Sequence, residues 1–502
     1  MKYKTTQQAL DAMQALQETL AAYHHVMGVT YLDASTCAPK GSYECRGKAM
    51  GILSRITYDL MANPDNDEML SALEADIDSL SQQQKREVEV LRKNYDQLNR
   101  IPAEEYVQYS VLLNDAEAMW EKAKNQNDFE LFAPYLEKIV DFNIKFAGYY
   151  DAGKHPYDAL LNEYEEGLTM ETLDGFFGQL RSAIVPLLER IGEAEPVDNS
   201  FLFRKYPVEK QKEFAKYLME VLDMDPNFCA ISESEHPFTN GFNNKDVRIT
   251  THYYENAPTF AMYSTIHEGG HAIYELDIDD CYNFSTLSGG ASMGIHESQS
   301  RFYENLIGRS RAFTSYVFPK LKELFPEQLA DVDEEMFYRG VNKVEPSLIR
   351  TEADELTYSL HIMVRYEIEK MLISREISVQ DVPATWNRLY KEYLGVEVPD
   401  DTNGCLQDIH WAGGSIGYFP SYALGSAYGP QMLAVMQKEV GDIYQDVEKG
   451  DLSKARAWLK ENIHRHSALY KPGELFERCC GKFDAKYFTD YLTKKFSEIY
   501  DL

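Results

Sequence analysis

The sequence predicts a mainly α-helical fold, on three observations. Apolar residues through the first third recur every three or four positions, as in Leu10, Met13, Leu16, Leu20 and Tyr23. One stretch reads as a short strand: Asp246-Val-Arg-Ile-Thr-Thr-His-Tyr-Tyr254 alternates and is rich in β-branched and aromatic residues. After about residue 300 the helical pattern returns, broken by a Gly-rich stretch from Gly404 to Gly425.

Taken in order, the helical stripes continue with Leu73, Ile77 and Leu80, then Val88, Leu91 and Tyr95, and they read as core-packing faces. The Ile101-Pro102 step reads as a helix restart, with Glu104 and Glu105 in the first turn. Beyond the strand, Asn256-Ala-Pro258 supplies a stop and a new start, and helix is expected over Thr259–Leu276. A loop, DIDDCYNFSTLSGG, leads to a second helix from about Ser292 to Gly308. No fixed-period repeat, low-complexity run or Ser/Gly linker divides the chain, so residues 1–502 are read without an internal boundary.

Composition narrows the class. A chain of 502 residues can bury a large core, and its net charge of -31 argues against nucleic acid or an anionic membrane as partner. The N-terminus has no signal-peptide apolar core, and no stretch reaches transmembrane length, so the cytoplasm is the expected compartment. Seven cysteines at irregular spacing, with no CxxC, indicate neither a disulfide framework nor a thiolate zinc cluster.

The chemistry centres on His267-Glu-Gly-Gly-His271. Two histidines four apart on a helix project from one face and can share a cation, while Glu268 sits beside them as general base. A catalytic zinc takes three protein ligands, so a third must come from elsewhere. Glu297, in Ile295-His-Glu-Ser-Gln299, is the first choice and the adjacent His296 the competing candidate, and on a helix only one of them can easily face the metal, because neighbours diverge by roughly 100°. An HExxH run arises by chance in roughly a few per cent of chains this long. The two internal glycines each cost a helix about 1 kcal/mol, which is easier to understand if another backbone or a substrate approaches closely.

The wider sequence resembles the carboxypeptidase Taq family of metallocarboxypeptidases. The resemblance rests on His236-Pro-Phe238, Asp246-Val-Arg248-Ile-Thr250, HEGGH, His296-Glu-Ser-Gln299, Ile349-Arg-Thr-Glu-Ala-Asp354 and Gly404-Cys-Leu-Gln407-Asp408-Ile-His410-Trp411. Near the N-terminus, Asp33-Ala-Ser-Thr-Cys-Ala-Pro39 and Arg46 resemble a family segment that usually carries Trp where this chain has Leu32. The resemblance implies a nearly all-α peptidase domain over residues 1–502, with two lobes flanking a deep groove, a small sheet beside the HExxH helix, and a homodimer. It implies removal of single residues from peptides with free C-termini, using one zinc (or cobalt) ion per chain. By motif match His267, His271 and Glu297 are ligands and Glu268 the catalytic carboxylate.

Other motif residues receive physical roles. A free α-carboxylate is best bound by a guanidinium through two parallel hydrogen bonds, and Arg350 is the first choice. Its structural alternative is an ion pair with Glu352, Asp354 or Glu355, and Arg248 beside Asp246 is the second choice. Tyr418 and Tyr422, after the Gly-rich segment, can donate to a tetrahedral intermediate, with His236 and His410 as alternatives. The metal histidines need partners for their second nitrogens. Arg301 stands where some HExxH enzymes carry an Asp, which leaves Asp408 and Glu304 as candidates. Trp411 is assigned to packing. An endo-acting oligopeptidase, or a peptide-binding protein of the same fold, are the competing readings.

Overall fold

The computed structural model describes residues 2–502, and among them twenty α-helices and one three-stranded sheet. Nine helices come first: α1 (Thr6–Thr36), α2 (Tyr43–Met61), α3 (Pro64–Glu74), α4 (Gln82–Arg100), α5 (Ala103–Gln126), α6 (Phe129–Tyr150), α7 (Pro156–Tyr164), α8 (Met170–Glu193) and α9 (Val208–Val221). Strands β1 (Cys229–Glu233), β2 (Thr239–Asn243) and β3 (Asp246–Thr251) lead into α10 (Pro258–Leu276) and α11 (Met293–Arg301). The chain continues through α12 (Arg311–Leu324), α13 (Glu334–Val341), α14 (Tyr358–Ile373), α15 (Val382–Leu394) and α16 (Phe419–Val440). Helices α17 (Tyr444–Val447), α18 (Ser453–Asn462), α19 (Pro472–Cys480) and α20 (Lys486–Tyr500) complete it.

Local chemistry sets the helix starts. Thr5 caps α1 by accepting from the Gln8 amide, and Ser81 with Gln84 forms a capping box on α4. The restart at Ile101-Pro102 is α5, with Glu104 and Glu105 in its first turn. The apolar stripes pack as expected: Met13, Leu73, Leu80, Val88 and Leu91 form a small core, with Leu10, Leu16, Leu20, Ile77 and Tyr95 against it. Each fully buried aliphatic side chain there contributes about 1.5–3 kcal/mol. A much larger core runs from Leu112 to Tyr500 and holds the sheet and α10.

The sheet corrects the single-strand reading. Its order is β1-β3-β2, with β1 parallel and β2 antiparallel to β3. β1 (CAISE) runs three apolar residues together before two polar ones and β2 (TNGFN) is mostly polar, so neither carries an alternation signal, and pairing with β3 makes them strands. β3 itself stops at Thr251 rather than Tyr254, and it buries Val247 and Ile249 completely. Helix α10 packs across β2 and β3 and touches α9 and α11.

Two further differences concern the helices near HEGGH. The second expected helix is α11 followed by a π-helical segment, Phe302–Gly308, buried throughout. The Gly-rich stretch is irregular only as far as Tyr418, and Gly425 lies inside α16. A cavity of about 860 Å³ opens between α1, α2 and α4 on one side and β2 on the other, with His24, Tyr58, Asn240, Phe242 and Phe284 in its walls. No helix among the described residues is long and apolar enough to cross a membrane.

Candidate active site

Helix α10 begins with Pro258 in its first turn, where the missing N–H costs nothing. It carries His267, Glu268 and His271 toward α11, which Ser292 starts by accepting from the Ile295 amide. The two helices lie unusually close. A Cβ on Gly270 would stand 2.7 Å from the Gln299 carbonyl oxygen and 2.7 Å from Ser300 Cα. Gly425 of α16 presses on α11 in the same way, since a Cβ there would fall 2.5 Å from Glu297 Cγ. The expectation that a second backbone approaches the motif is met at Gly270, while at Gly269 the close neighbour is the Leu222 side chain.

This contact brings three donors together. His267 Nε2 and His271 Nε2 lie 3.6 and 3.5 Å from Glu297 Oε2, and the ligand-capable atoms are all within 4.8 Å of one another. Both Nδ1 atoms are engaged elsewhere: His267 with Glu304 Oε2 at 2.9 Å, His271 with His296 Nδ1 at 2.6 Å. The Nε2 lone pairs therefore converge with one carboxylate oxygen, a donor set that fits a divalent cation. His296 turns away from this point and hydrogen-bonds Glu275 at 2.8 Å, so of the two candidates Glu297 is the one that joins the histidines.

The surrounding charges are dense. Burial alone would raise the Glu297 carboxyl, but Arg301 and the two histidines hold it well below the usual carboxylate range. Arg301 Nε donates to Glu297 Oε1 at 2.7 Å, and its Nη1 reaches Glu304 Oε2 at 3.2 Å. Glu304 is likewise held low against its burial by Arg301, His267 and Arg309. Burial pushes the Glu268 carboxyl up, opposed by His267 and by Thr239, whose Oγ1 donates to Glu268 Oε2 at 2.6 Å. Burial likewise lowers His271 to about 3, whereas nearby carboxylates outweigh it for His267 and raise that ring. The half-buried Arg301 and Arg309 thus pair the buried Glu297 and Glu304, while Glu268 has the Thr239 hydroxyl as its partner.

Comparison with known proteins follows this geometry. The family model for the carboxypeptidase Taq (M32) metallopeptidases matches residues 12–496.

The chain belongs to the carboxypeptidase Taq family.

It is therefore a peptide hydrolase of the metallocarboxypeptidase class, and a His267/His271/Glu297 site fits the divalent metal that the family implies. Carboxypeptidase 1 of Bacillus subtilis is 41% identical over 487 residues, covering 97% of each chain. Thermostable carboxypeptidase 1 of Pyrococcus furiosus is 36% identical, covering 96% of this chain and 98% of the other. Among solved structures, the M32 carboxypeptidase of Deinococcus radiodurans superposes with a TM-score of 0.96 at 36% identity, over 99% of this chain and 100% of that one.

The remaining motif residues of this M32 chain form a second cluster. Arg350 is buried in a short 3-10 turn, Arg350–Glu352, rather than a longer helix. Its partner is none of the three expected acids but Asp408, reached by Nη2 at 2.9 Å and Nε at 3.2 Å. Asp408 also accepts from Arg365 Nε at 2.6 Å, so it serves two arginines and does not touch the metal histidines. Of the two proposed partners, only Glu304 takes that role. Arg248 pairs with Asp246 at 2.8 Å, as expected for a strand arginine beside an acid.

Tyr418 and Tyr422 are half-buried and pack ring against ring at 4.9 Å, with His410 stacked on Tyr418 at 5.6 Å. His410 Nε2 lies 3.3 Å from the Tyr422 hydroxyl, and burial lowers this imidazole to about 4. The Arg350 guanidinium lies 5.1 Å from the Tyr422 ring centre, which joins the clamp candidate to the tyrosines. His236 stands apart from them as an exposed residue, on the bend between β1 and β2. Trp411 is buried and donates to Glu369 at 2.8 Å.

Four residues escaped the sequence reading. Thr239 lies on the strand that carried no signal. Tyr358 joins the two halves of the site: the Arg301 guanidinium stacks 4.4 Å over its ring, and Arg350 Nη1 donates to its hydroxyl at 3.3 Å. Arg301 was seen only as the absence of an Asp, yet it neutralises two buried glutamates. Glu275 had a readable signal, since it follows His271 by four as His271 follows His267.

Proposed function

We propose that this enzyme removes single residues from the free C-termini of peptides, with His267, His271 and Glu297 as the metal ligands and Glu268 as general base. The observation that carries the reading is the convergence of both Nε2 atoms on Glu297 Oε2, with Glu268 held beside them by Thr239. A divalent ion held by this donor set would supply polarisation of the scissile carbonyl and activation of a water molecule. Zinc and cobalt both suit two imidazoles and a carboxylate.

The chain's own groups account for the rest. Thr239 occupies Oε2 of Glu268, which leaves Oε1 to take the proton of the attacking water and pass it to the leaving amine. Burial raises the Glu268 carboxyl, which brings it nearer the strength a general base needs at neutral pH. Arg350 is assigned to the substrate α-carboxylate on a charge argument. Asp408 is shared by two guanidinium groups, so the Arg350/Arg365/Asp408 cluster keeps a net positive charge beside the tyrosines. Tyr418 and Tyr422, whose paired rings lie beside that charge, are assigned to the oxyanion as hydroxyl donors, with His410 oriented by Tyr422. His236 is assigned a contact with substrate, on its exposure alone.

A pair of peptides differing only in C-terminal amidation tests the assignment. Stepwise release of single amino acids from the free peptide, and none from the amidated one, is the expected result. Equal cleavage of both, or internal cuts, would establish an oligopeptidase and remove the role given to Arg350. Absence of turnover with full metal occupancy would favour the peptide-binding alternative.

A further inference from the structure

We propose that Glu275 and His296 form a positioning relay that fixes the tautomer and orientation of His271, as Glu304 does for His267. This rests on the ligand set assigned above. The proton assignment follows from the partners at each nitrogen. His296 Nε2 lies 2.8 Å from Glu275 Oε1, and an ionised carboxylate only accepts, so the ring proton is on Nε2. In the neutral ring, His296 Nδ1 is then bare. It lies 2.6 Å from His271 Nδ1, and two bare nitrogens would repel at that distance, so His271 Nδ1 carries a proton and donates it. His271 Nε2 is left with a free lone pair facing Glu297 Oε2, the state that ligation requires.

Packing holds the relay in place. Glu275 lies one helical turn beyond His271 on α10, on the same face. Its carboxyl is seated on the backbone of β2, where a Cβ on Gly241 would stand 2.8 Å from Glu275 Cδ. The His296 ring lies against the Tyr274 ring at 4.9 Å and over Gly290, where a Cβ would come within 2.6 Å of His296 Cδ2. Strand β2 thus touches both functional carboxylates of α10: Thr239 binds Glu268, and two residues on, Gly241 receives Glu275. The two ligand histidines are supported differently. Glu304 shares its charge with Arg301 and Arg309, whereas among the described residues no lysine or arginine pairs with Glu275. Among the described residues the ion-pair partner of Glu275 is therefore the imidazole chain that leads to His271.

The test is metal affinity, measured on the purified full chain at one pH by competition with a chromophoric zinc chelator. His296→Phe keeps ring volume and removes the acceptor, and it should weaken zinc binding roughly 10- to 100-fold. His296→Asn, whose side-chain oxygen stands near the position of Nδ1, should recover most of that loss. Glu275→Gln should weaken binding less than His296→Phe, and the double variant should bind no worse than His296→Phe alone, because both act through one chain. The absorption bands of the cobalt-substituted protein should shift in His296→Phe and return in His296→Asn. Zinc affinity of His296→Phe within twofold of wild type, or independent effects in the double variant, would overturn the relay. If the metal-free melting temperature shows that His296→Phe does not fold, Gly241→Ala replaces it. That change keeps every relay group but displaces the Glu275 carboxyl, and unchanged affinity there overturns the proposal equally. A wild-type chain that binds no zinc would instead defeat the ligand assignment itself, which is a separate result.

Discussion

At the scale of single residues, the site depends on how each buried charge is matched. Glu268 differs from the other carboxylates of the centre in having a hydroxyl, Thr239, as its hydrogen-bond partner rather than a cation. Glu268→Gln should keep that contact and the metal while lowering kcat roughly 100- to 10,000-fold. Metal content by atomic absorption together with turnover on a free-ended peptide checks both halves. Asp408 illustrates the structural use of charge. Burial opposes its ionisation, but Arg365 and Arg350 hold its carboxyl well below the usual range. Its folded value is thus lower than its unfolded one, so its stabilisation is present above the ordinary aspartate pKa of about 3.9 and is lost as pH falls through the folded value. Asp408→Asn leaves two buried arginines without their anion and should cost about 3–5 kcal/mol at pH 7. In denaturant titrations across pH, the gap between wild type and variant should narrow below about pH 4, as acid removes the wild-type contribution. A gap that is constant with pH would show that Asp408 stabilises by packing alone.

At the scale of elements, the assigned ligands meet because α10, α11 and α16 approach at glycines. The pair of glycines between Glu268 and His271 is a packing requirement, since Gly269 faces Leu222 and Gly270 faces the backbone of α11. Gly270→Ala places a methyl group against the backbone of α11, which cannot yield without moving Glu297. It should destabilise the fold by about 1–3 kcal/mol and weaken metal binding. Gly269→Ala meets the end of the Leu222 side chain at 2.6 Å, which can change rotamer, so it should cost less than Gly270→Ala. Thermal melting and metal competition on the two variants check the order, and the reverse order would show that the helix contact is soft. The π-helical turn after α11 belongs to the same arrangement. It begins at Phe302, directly after Arg301, and carries Glu304 back to His267 within seven residues of Glu297. Widened turns of this kind recur at functional sites because they re-aim side chains without ending the helix.

At the scale of the whole molecule, the assigned ligands come from α10 and α11, so bound metal ties two helices of the main core together. Removing the metal with a chelator should therefore lower the melting temperature. Restoring zinc to roughly 1,000-fold above its dissociation constant should return about 4 kcal/mol. A melting temperature indifferent to the chelator would place the metal elsewhere or show that it does not bind the folded state. The net charge of the whole chain is -31, while the half-buried Arg301 and Arg309 and the buried Arg350 and Arg365 concentrate around Glu297, Glu304 and Asp408. Overall charge thus describes the surface and says nothing of the centre.

The sequence by itself determined the helical class, the place of HEGGH on a helix, the apolar stripes of α1, α3 and α4, and the motifs that mark the carboxypeptidase Taq family. These are local properties: a 3.6-residue period and an i, i+4 pair are written in neighbouring positions. The choice of Glu297 over His296 was open from spacing alone, because it depends on which way α11 is turned against α10. Strands β1 and β2, the pairing of Asp408 with Arg350 and Arg365, the bridging role of Arg301 and the Glu275–His296–His271 chain were decided only by the tertiary structure. The partners in the Asp408 cluster lie more than forty residues apart, and Glu275 and His296 twenty-one. Over such separations, contact depends on how helices pack, and no local periodicity records it.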